Sequence, residues 1–533
     1  MFSKLFIQTA VFLIGFQGFS WGQADTPQEA PTETSVAEKP VRCADLLKAA
    51  YDYKRWQSAL EIFPARQCST EKKVILWHFL RDGSDTASFK EYTDFASKHP
   101  AWPWIFKIRR FAESRLKPET PLSQIIGWFQ NNPPKTYDGA KAHIQAYMKK
   151  KQQEEAVKLI KAYWEKLEMV PQEASAFLTI FGSYLTKEDH LLRARYWLTQ
   201  ESTEPAQRAL SLVDSVQKPL LEAQIALARD DPKSVDLYQK IKRHNVNDVE
   251  LQFSYLGYLR RTKNEYAAKY FLRHPKLVRY DAVRAWKEAN ILLRRALEKG
   301  DRVTAAKLAE LAALESGDGF ADAQWLKGYL TLTTLKKPAL AAQIFHTAAG
   351  HVTSGISRAR FSYWTAKALE TAGIEDYNTW YEQAANYRSA FYGQLSAKKL
   401  GKPLVPPKAL TASHALLERL KQSALYKAAR SLHTIGKNCE ASEFLFMFLK
   451  SAASHDERVA ILKLAHDISR QYTLGLTKEA SLHGDFYYKE AYPILDKTYQ
   501  DIIIKETNPA LLHAVIRKES NFDPTIVSSA GAL

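Results

Sequence analysis

From about residue 42 to residue 400 the chain repeats a single pattern. Apolar residues recur at i, i+3, i+4 and i+7, and Ala, Leu, Lys, Glu and Arg dominate. That period lays an apolar stripe along one side of a helix, and these residues lose little side-chain freedom in one. No run alternates as a half-buried strand would. Each helix hides only one stripe, so the helices must cover one another. The breaks are short and carry turn residues: Asp230-Asp231-Pro232, Gly300-Asp301, Lys336-Lys337-Pro338 and Gly373. The last three are spaced about as far apart as helix–turn–helix repeats. Small residues recur at Ala305-Ala306, Ala341-Ala342 and Ala384-Ala385, with Trp325, Tyr329, Phe345, Tyr363, Trp364, Trp380 and Tyr381 between them. Alanine facing a large ring lets two helices approach closely. The prediction is an all-α fold, a superhelical stack of helical hairpins forming a ring or a horseshoe. The aromatic residues could also stack on sugars, but rings dominate helical cores by buried area, and core packing is the preferred reading.

Gly401-Lys402-Pro403-Leu404-Val405-Pro406-Pro407 interrupts the pattern, because consecutive prolines cannot continue a helix. This sets a scaffold at 42–400 and a helical linker domain at 401–490, with a last segment at 491–533 that opens near Tyr492-Pro493. Residues 25–41 are rich in Pro, Glu and Thr and read as a disordered linker. Residues 1–24 read as a signal peptide. Lys4 precedes an apolar stretch too short to span a membrane comfortably, and Gly22 and Ala24 are small residues at a cleavage site. No Cys follows to carry a lipid, so no stable membrane anchor is expected. An uncleaved N-terminal anchor is the alternative, and either way the chain is exported. The net charge of +17 favours polyanions. The cations are scattered rather than striped, however, and an exported protein meets wall and envelope, so nucleic acid is not expected as a partner. Three cysteines make no disulfide framework and no paired C-x-x-C, so neither a metal nor a cofactor is implied. Cys43 and Cys68 either bridge two helices in an oxidising compartment or remain two buried thiols. Cys439 reads as a core residue.

Chemistry concentrates in the tail. Asn508-Pro509 is a strong helix start, since Asn caps free backbone N–H groups and Pro gives up a donor unpaired in any case. On that helix Leu512, Ile516 and Glu519 fall at i, i+4 and i+7, with Val515 one turn before Glu519. The expectation is a carboxylate on the apolar side near the helix C-terminus. Burial there, assisted by the helix dipole, would raise its pKa and suit it to general-acid work. The alternative is an exposed helix-end Glu, or one paired with Arg517 or a distant Lys. Asp523 lies beyond the helix end and is discounted as a second acid. His513 reads as a surface or packing residue, and His513 to Glu519 does not form the H-E-x-x-H pattern of a zinc site.

Arg517-x-Glu519-Ser520-x-Phe522-x-Pro524, followed by Ser529-x-Gly531-Ala532, resembles the first catalytic motif of the lytic transglycosylases. A second stretch resembles the superhelical scaffold of the soluble 70-kDa-type members. It comprises Arg358-x-Arg360-x-x-Tyr363-Trp364-x-x-Lys367-Ala368-Leu369, Trp380-Tyr381-x-x-Ala384-Ala385, Phe391-Tyr392-Gly393-Gln394-Leu395 and Leu400-Gly401. The resemblance implies a periplasmic enzyme whose partner is the peptidoglycan glycan strand. It would cleave the β-1,4 bond after N-acetylmuramic acid, with Glu519 as sole acid and base and Ser520 beside it in substrate binding. Family members continue with Gly-Leu-Met-Gln where this sequence stops at Leu533. Residues 491–533 therefore read as the first helices of a lysozyme-like catalytic domain, a piece of about 43 residues that rarely folds on its own core. The chain alone is expected to release little product. The alternative function is a non-catalytic periplasmic helical scaffold that binds wall or envelope proteins, although it gives no reason for the motif at Glu519.

Overall fold

The computed structural model describes residues 42–64, 67–243, 248–262, 264–317, 319–404, 411–481, 487–495, 508–523 and 527. The expectations for the leader and linker at 1–41, for Pro406 and Pro407, and for Pro524, Ser529, Gly531 and Ala532 lie outside these residues. Among the described residues all regular structure is helical and no strand occurs. No helix among them is long and apolar enough to cross a membrane.

The breaks read from the sequence are helix ends. Ala282–Glu298 turns into Arg302–Glu310, Phe320–Thr333 into Pro338–His351, and Gly355–Ala372 into Tyr377–Ala385. Gly300, Lys336 and Gly373, one in each turn, all have positive φ. This left-handed residue is the usual way to stop a helix and reverse the chain. Asp301 then caps the next helix by accepting from Thr304 N at 3.0 Å, and Pro338 occupies a first-turn position. The alanine pairs at 305–306, 341–342 and 384–385 are all buried. The rings between them pack on one another. Trp325 stacks on Tyr329 at 5.1 Å, Tyr329 meets Trp364 edge-on at 5.3 Å, and Phe345 is fully buried. These aromatics are core, as preferred from the sequence. Gly393 is required by packing, since a Cβ there would lie 2.0 Å from Tyr387 O and 2.9 Å from Ala384 O.

The two ends of the helical run are brought together. One apolar core combines residues from the first helices, between 47 and 146, with residues between 420 and 487. Phe444, fully buried on the Asn438–Lys450 helix, is met edge-on by Trp77 at 5.0 Å and by Trp102 at 4.9 Å. Burying each such ring is worth about 1.5–3 kcal/mol. Polar groups line the same seam. Glu440 accepts from Tyr51 Oη at 2.6 Å and Arg81 Nη1 at 3.2 Å, and Nε2 of buried His78 lies 3.2 Å from its carboxylate. Ser431 Oγ donates to Glu71 Oε1 at 2.6 Å. Contacts between residues this distant in sequence favour the closed ring over the open horseshoe. Next to the seam Cys43 and Cys68 are joined by a disulfide, with Cα atoms 5.4 Å apart. Cys439 is exposed, which corrects its reading as a core residue. It follows Asn438 in the first turn of its helix, and the buried positions there are Ala441, Phe444 and Leu445.

Candidate active site

The Pro509–Glu519 helix forms as its sequence requires. The Asn508 side chain accepts from Ala510 N at 2.9 Å and from Leu511 N, and Pro509 opens the first turn. The helix is held by polar contacts to the preceding segment and to the Arg470–Ser481 helix. Arg517 Nε donates to Ala491 O at 2.7 Å, and its guanidinium lies 4.4 Å above the Tyr492 ring. His513 Nδ1 donates to Pro509 O at 2.7 Å, which leaves Nε2 to accept from Leu495 N at 3.2 Å. His513 is thus an anchor, within the packing role expected for it. Gln471 Nε2, on the Arg470–Ser481 helix, donates to Asn521 O at 3.0 Å.

These contacts decide which edge of the helix is covered. Leu512, His513, Ile516, Arg517 and Ser520 are half-buried. Leu511, Val515 and Glu519, four residues apart on the neighbouring line, are exposed, Leu511 at 59% and Val515 at 47%. The expected burial of Glu519 is therefore corrected: the carboxylate projects from an open face. Apolar residues occur on both lines of the wheel, and the anchors at Arg517 and His513 turn the Leu512–Ile516 line inward. Arg517 is engaged by Ala491 and Tyr492, not held as a partner for Glu519. Ser520 turns its hydroxyl back to Ile516 O at 3.2 Å.

One feature at this site was not anticipated from the sequence. Asn521 and Phe522, directly after the helix, both have positive φ, at 52° and 60°. Asn tolerates this conformation, but a bulky residue such as Phe rarely adopts it. Backbone held in this region costs about 1–3 kcal/mol per residue and clusters at functional sites. The double left-handed turn reverses the chain directly behind Glu519 and places Phe522 6.2 Å from the His513 ring. The only sequence signal for it was the Ser-Asn pair after the helix. Asp523 lies past this turn, and its backbone N–H donates to Ser520 O at 3.0 Å. Among the described residues no group of three or more His, Cys, Asp or Glu is placed to hold a metal.

A closed all-α superhelix carrying a capped helix and a strained motif turn defines a class of architecture with solved counterparts. The chain has the fold of the 70-kDa-type soluble lytic transglycosylases. It matches an inactive mutant of the lytic transglycosylase Slt from Pseudomonas aeruginosa with a TM-score of 0.65 at 17% identity, over 92% of this chain and 79% of that one. It matches the Escherichia coli 70-kDa enzyme with a TM-score of 0.57 at 15% identity, over 92% and 78%. A complex of the 70-kDa enzyme with bulgecin A gives 0.58 at 16%, over 91% and 78%. No protein-family model and no curated protein sequence matches the chain.

Proposed function

We propose that this protein is a peptidoglycan lytic transglycosylase that acts with Glu519 as its single acid and base. The observation that carries the reading is the motif helix. Within a fold shared with these enzymes, Glu519 ends a capped helix docked on the ring, faces outward and is followed by a strained turn. The Pseudomonas aeruginosa counterpart is described as inactive with glutamine in place of one glutamate, which supports a reaction resting on one carboxyl group. Glu519 protonates the glycosidic oxygen while the substrate's N-acetyl group assists at the anomeric carbon. The carboxylate then takes the proton of the 6-hydroxyl, whose oxygen closes on that carbon as a 1,6-anhydro ring. No water is consumed, so no second carboxylate is needed to activate one, unlike the usual glycosidase pair. Exposure of Glu519 leaves its carboxylate open to an incoming glycan strand. We take residues 42–400 as scaffold, 401–490 as linker and 491–533 as the opening part of the catalytic module. Export through residues 1–24 to the periplasm agrees with the Cys43–Cys68 disulfide, since such bonds persist in oxidising compartments.

The test is digestion of purified sacculi by the protein as its gene encodes it, with released muropeptides separated by mass. Anhydro-muropeptides are expected from the parent and none from Glu519→Gln. Equal release by the two proteins would remove Glu519 from the mechanism.

A further inference from the structure

A groove of about 410 Å³ opens where the start of the Ile105–Glu113 helix meets the Asn438–Lys450 and Arg470–Ser481 helices. Trp104, Phe106, Phe446 and Met447 line it, with Glu443 among them. Two of these rings are turned outward, Trp104 at 40% exposure and Phe106 at 63%. Their placement is held rigidly. Trp102 is buried against Phe95 and Phe444, and Trp77 Nε1 donates to Pro103 O at 2.8 Å. Trp104 itself has φ 58°, a conformation a bulky residue adopts only when its surroundings impose it. Its indole N–H donates to Glu443 Oε2 at 2.7 Å, which fixes the orientation of the ring. Phe106 stands 5.6 Å away at 45°, and Lys107 Nζ lies 5.7 Å from the Trp104 centroid.

Gly475 supplies part of the lining as bare backbone. It lies inside a helix, has no positive φ and would place a Cβ in open space. Alanine there would stabilise the helix by about 0.5–1 kcal/mol. Neither backbone conformation nor packing therefore calls for glycine here, and its bare backbone leaves that side of the groove open. One turn earlier on the same helix, about 6 Å along its axis, Gln471 holds Asn521 of the turn behind Glu519. The groove and the motif turn thus share one helix.

We infer that this groove is a distal subsite for the N-acetylated glycan strand that Glu519 cleaves, an assignment that rests on the function proposed above. A pyranose ring has C–H faces and hydroxyl edges. The Trp104 and Phe106 faces accept the former, and Glu443 and Ser442 line the groove to bind the latter. Trp104 is a positioning residue: it strengthens the hold on long strands without touching the scissile bond.

The test uses the full-length Glu519→Gln protein, which cannot cleave, and peptide-free glycan strands of several lengths, with affinity measured by calorimetry. Trp104→Ala is expected to weaken binding of long strands about tenfold, the effect of losing a central aromatic anchor, and to leave a disaccharide unaffected. Trp104→Phe should restore most of the loss. Gly475→Met fills the groove from another element, should not lower the melting temperature, and should weaken long strands similarly. Unchanged affinity in both Trp104→Ala and Gly475→Met overturns the subsite. So does unchanged glycan affinity with an altered oligomeric mass, which would assign the groove to a second copy of the chain. Loss of muropeptide release in Glu519→Gln together with unaltered binding in Trp104→Ala would defeat the subsite and leave the enzyme standing. Weakened binding in Trp104→Ala with release persisting in Glu519→Gln would do the reverse.

Discussion

Replacing Glu440 by glutamine removes one charge from the seam where the ring closes. Burial alone would push this carboxyl up, but hydrogen bonds and charge from His78, then bonds from Tyr51 and Arg81, outweigh burial and bring it from 4.5 down to about 2. That difference corresponds to roughly 3 kcal/mol at about 1.4 kcal/mol for each tenfold. The carboxylate is 21% exposed, and solvent screening reduces the expected contribution to about 2 kcal/mol. The folded pKa is depressed, so this contribution is complete above pH 4.5 and is lost as pH falls through about 2. The assay is hydrogen exchange under increasing urea, read on peptides covering Ser69–Arg81 and Asn438–Lys450. At pH 7 Glu440→Gln should lower their opening free energy by about 2 kcal/mol and leave the Phe320–Thr333 and Pro338–His351 hairpin unchanged. Thermal melts from pH 7 to pH 2 should show the gap between parent and variant closing below pH 4.5. Equal opening energies at pH 7, or a gap that persists at pH 2, would refute the reasoning.

Two further outcomes concern the scaffold. Gly393→Ala forces a Cβ against Tyr387 O and should cost about 1–3 kcal/mol, seen as a lower melting temperature; an unchanged melt contradicts the packing described. Cys43→Ala opens a loop closed across 25 residues and should cost about 3–4 kcal/mol by loop entropy. The reduced parent should then melt with the variant, and equal melting of oxidised and reduced parent removes the disulfide from the account.

The motif helix shows how far local sequence reaches. Asn508 and Pro509 specify where the helix starts, because capping is a transaction between neighbouring residues. The wheel could not decide which of two apolar lines would be covered. That depended on Ala491, Tyr492 and Leu495 meeting Arg517 and His513. The turn at Asn521 and Phe522 was equally hidden, since nothing local favours a left-handed Phe.

By itself the sequence determined the all-α class, the hairpin boundaries at Gly300, Lys336 and Gly373, and the alanine positions where helices meet. These follow from a period of 3.6 and from turn chemistry, both of which act over a few residues. Only the tertiary structure decided that the ring closes through Glu440 and Tyr51, which are 389 residues apart. It alone also decided that Trp102 turns inward while Trp104 turns out, and that Glu519 stands open beside a docked helix edge. Those outcomes depend on surfaces that meet only after the superhelix has formed, and no pattern of local spacing encodes which surfaces those will be.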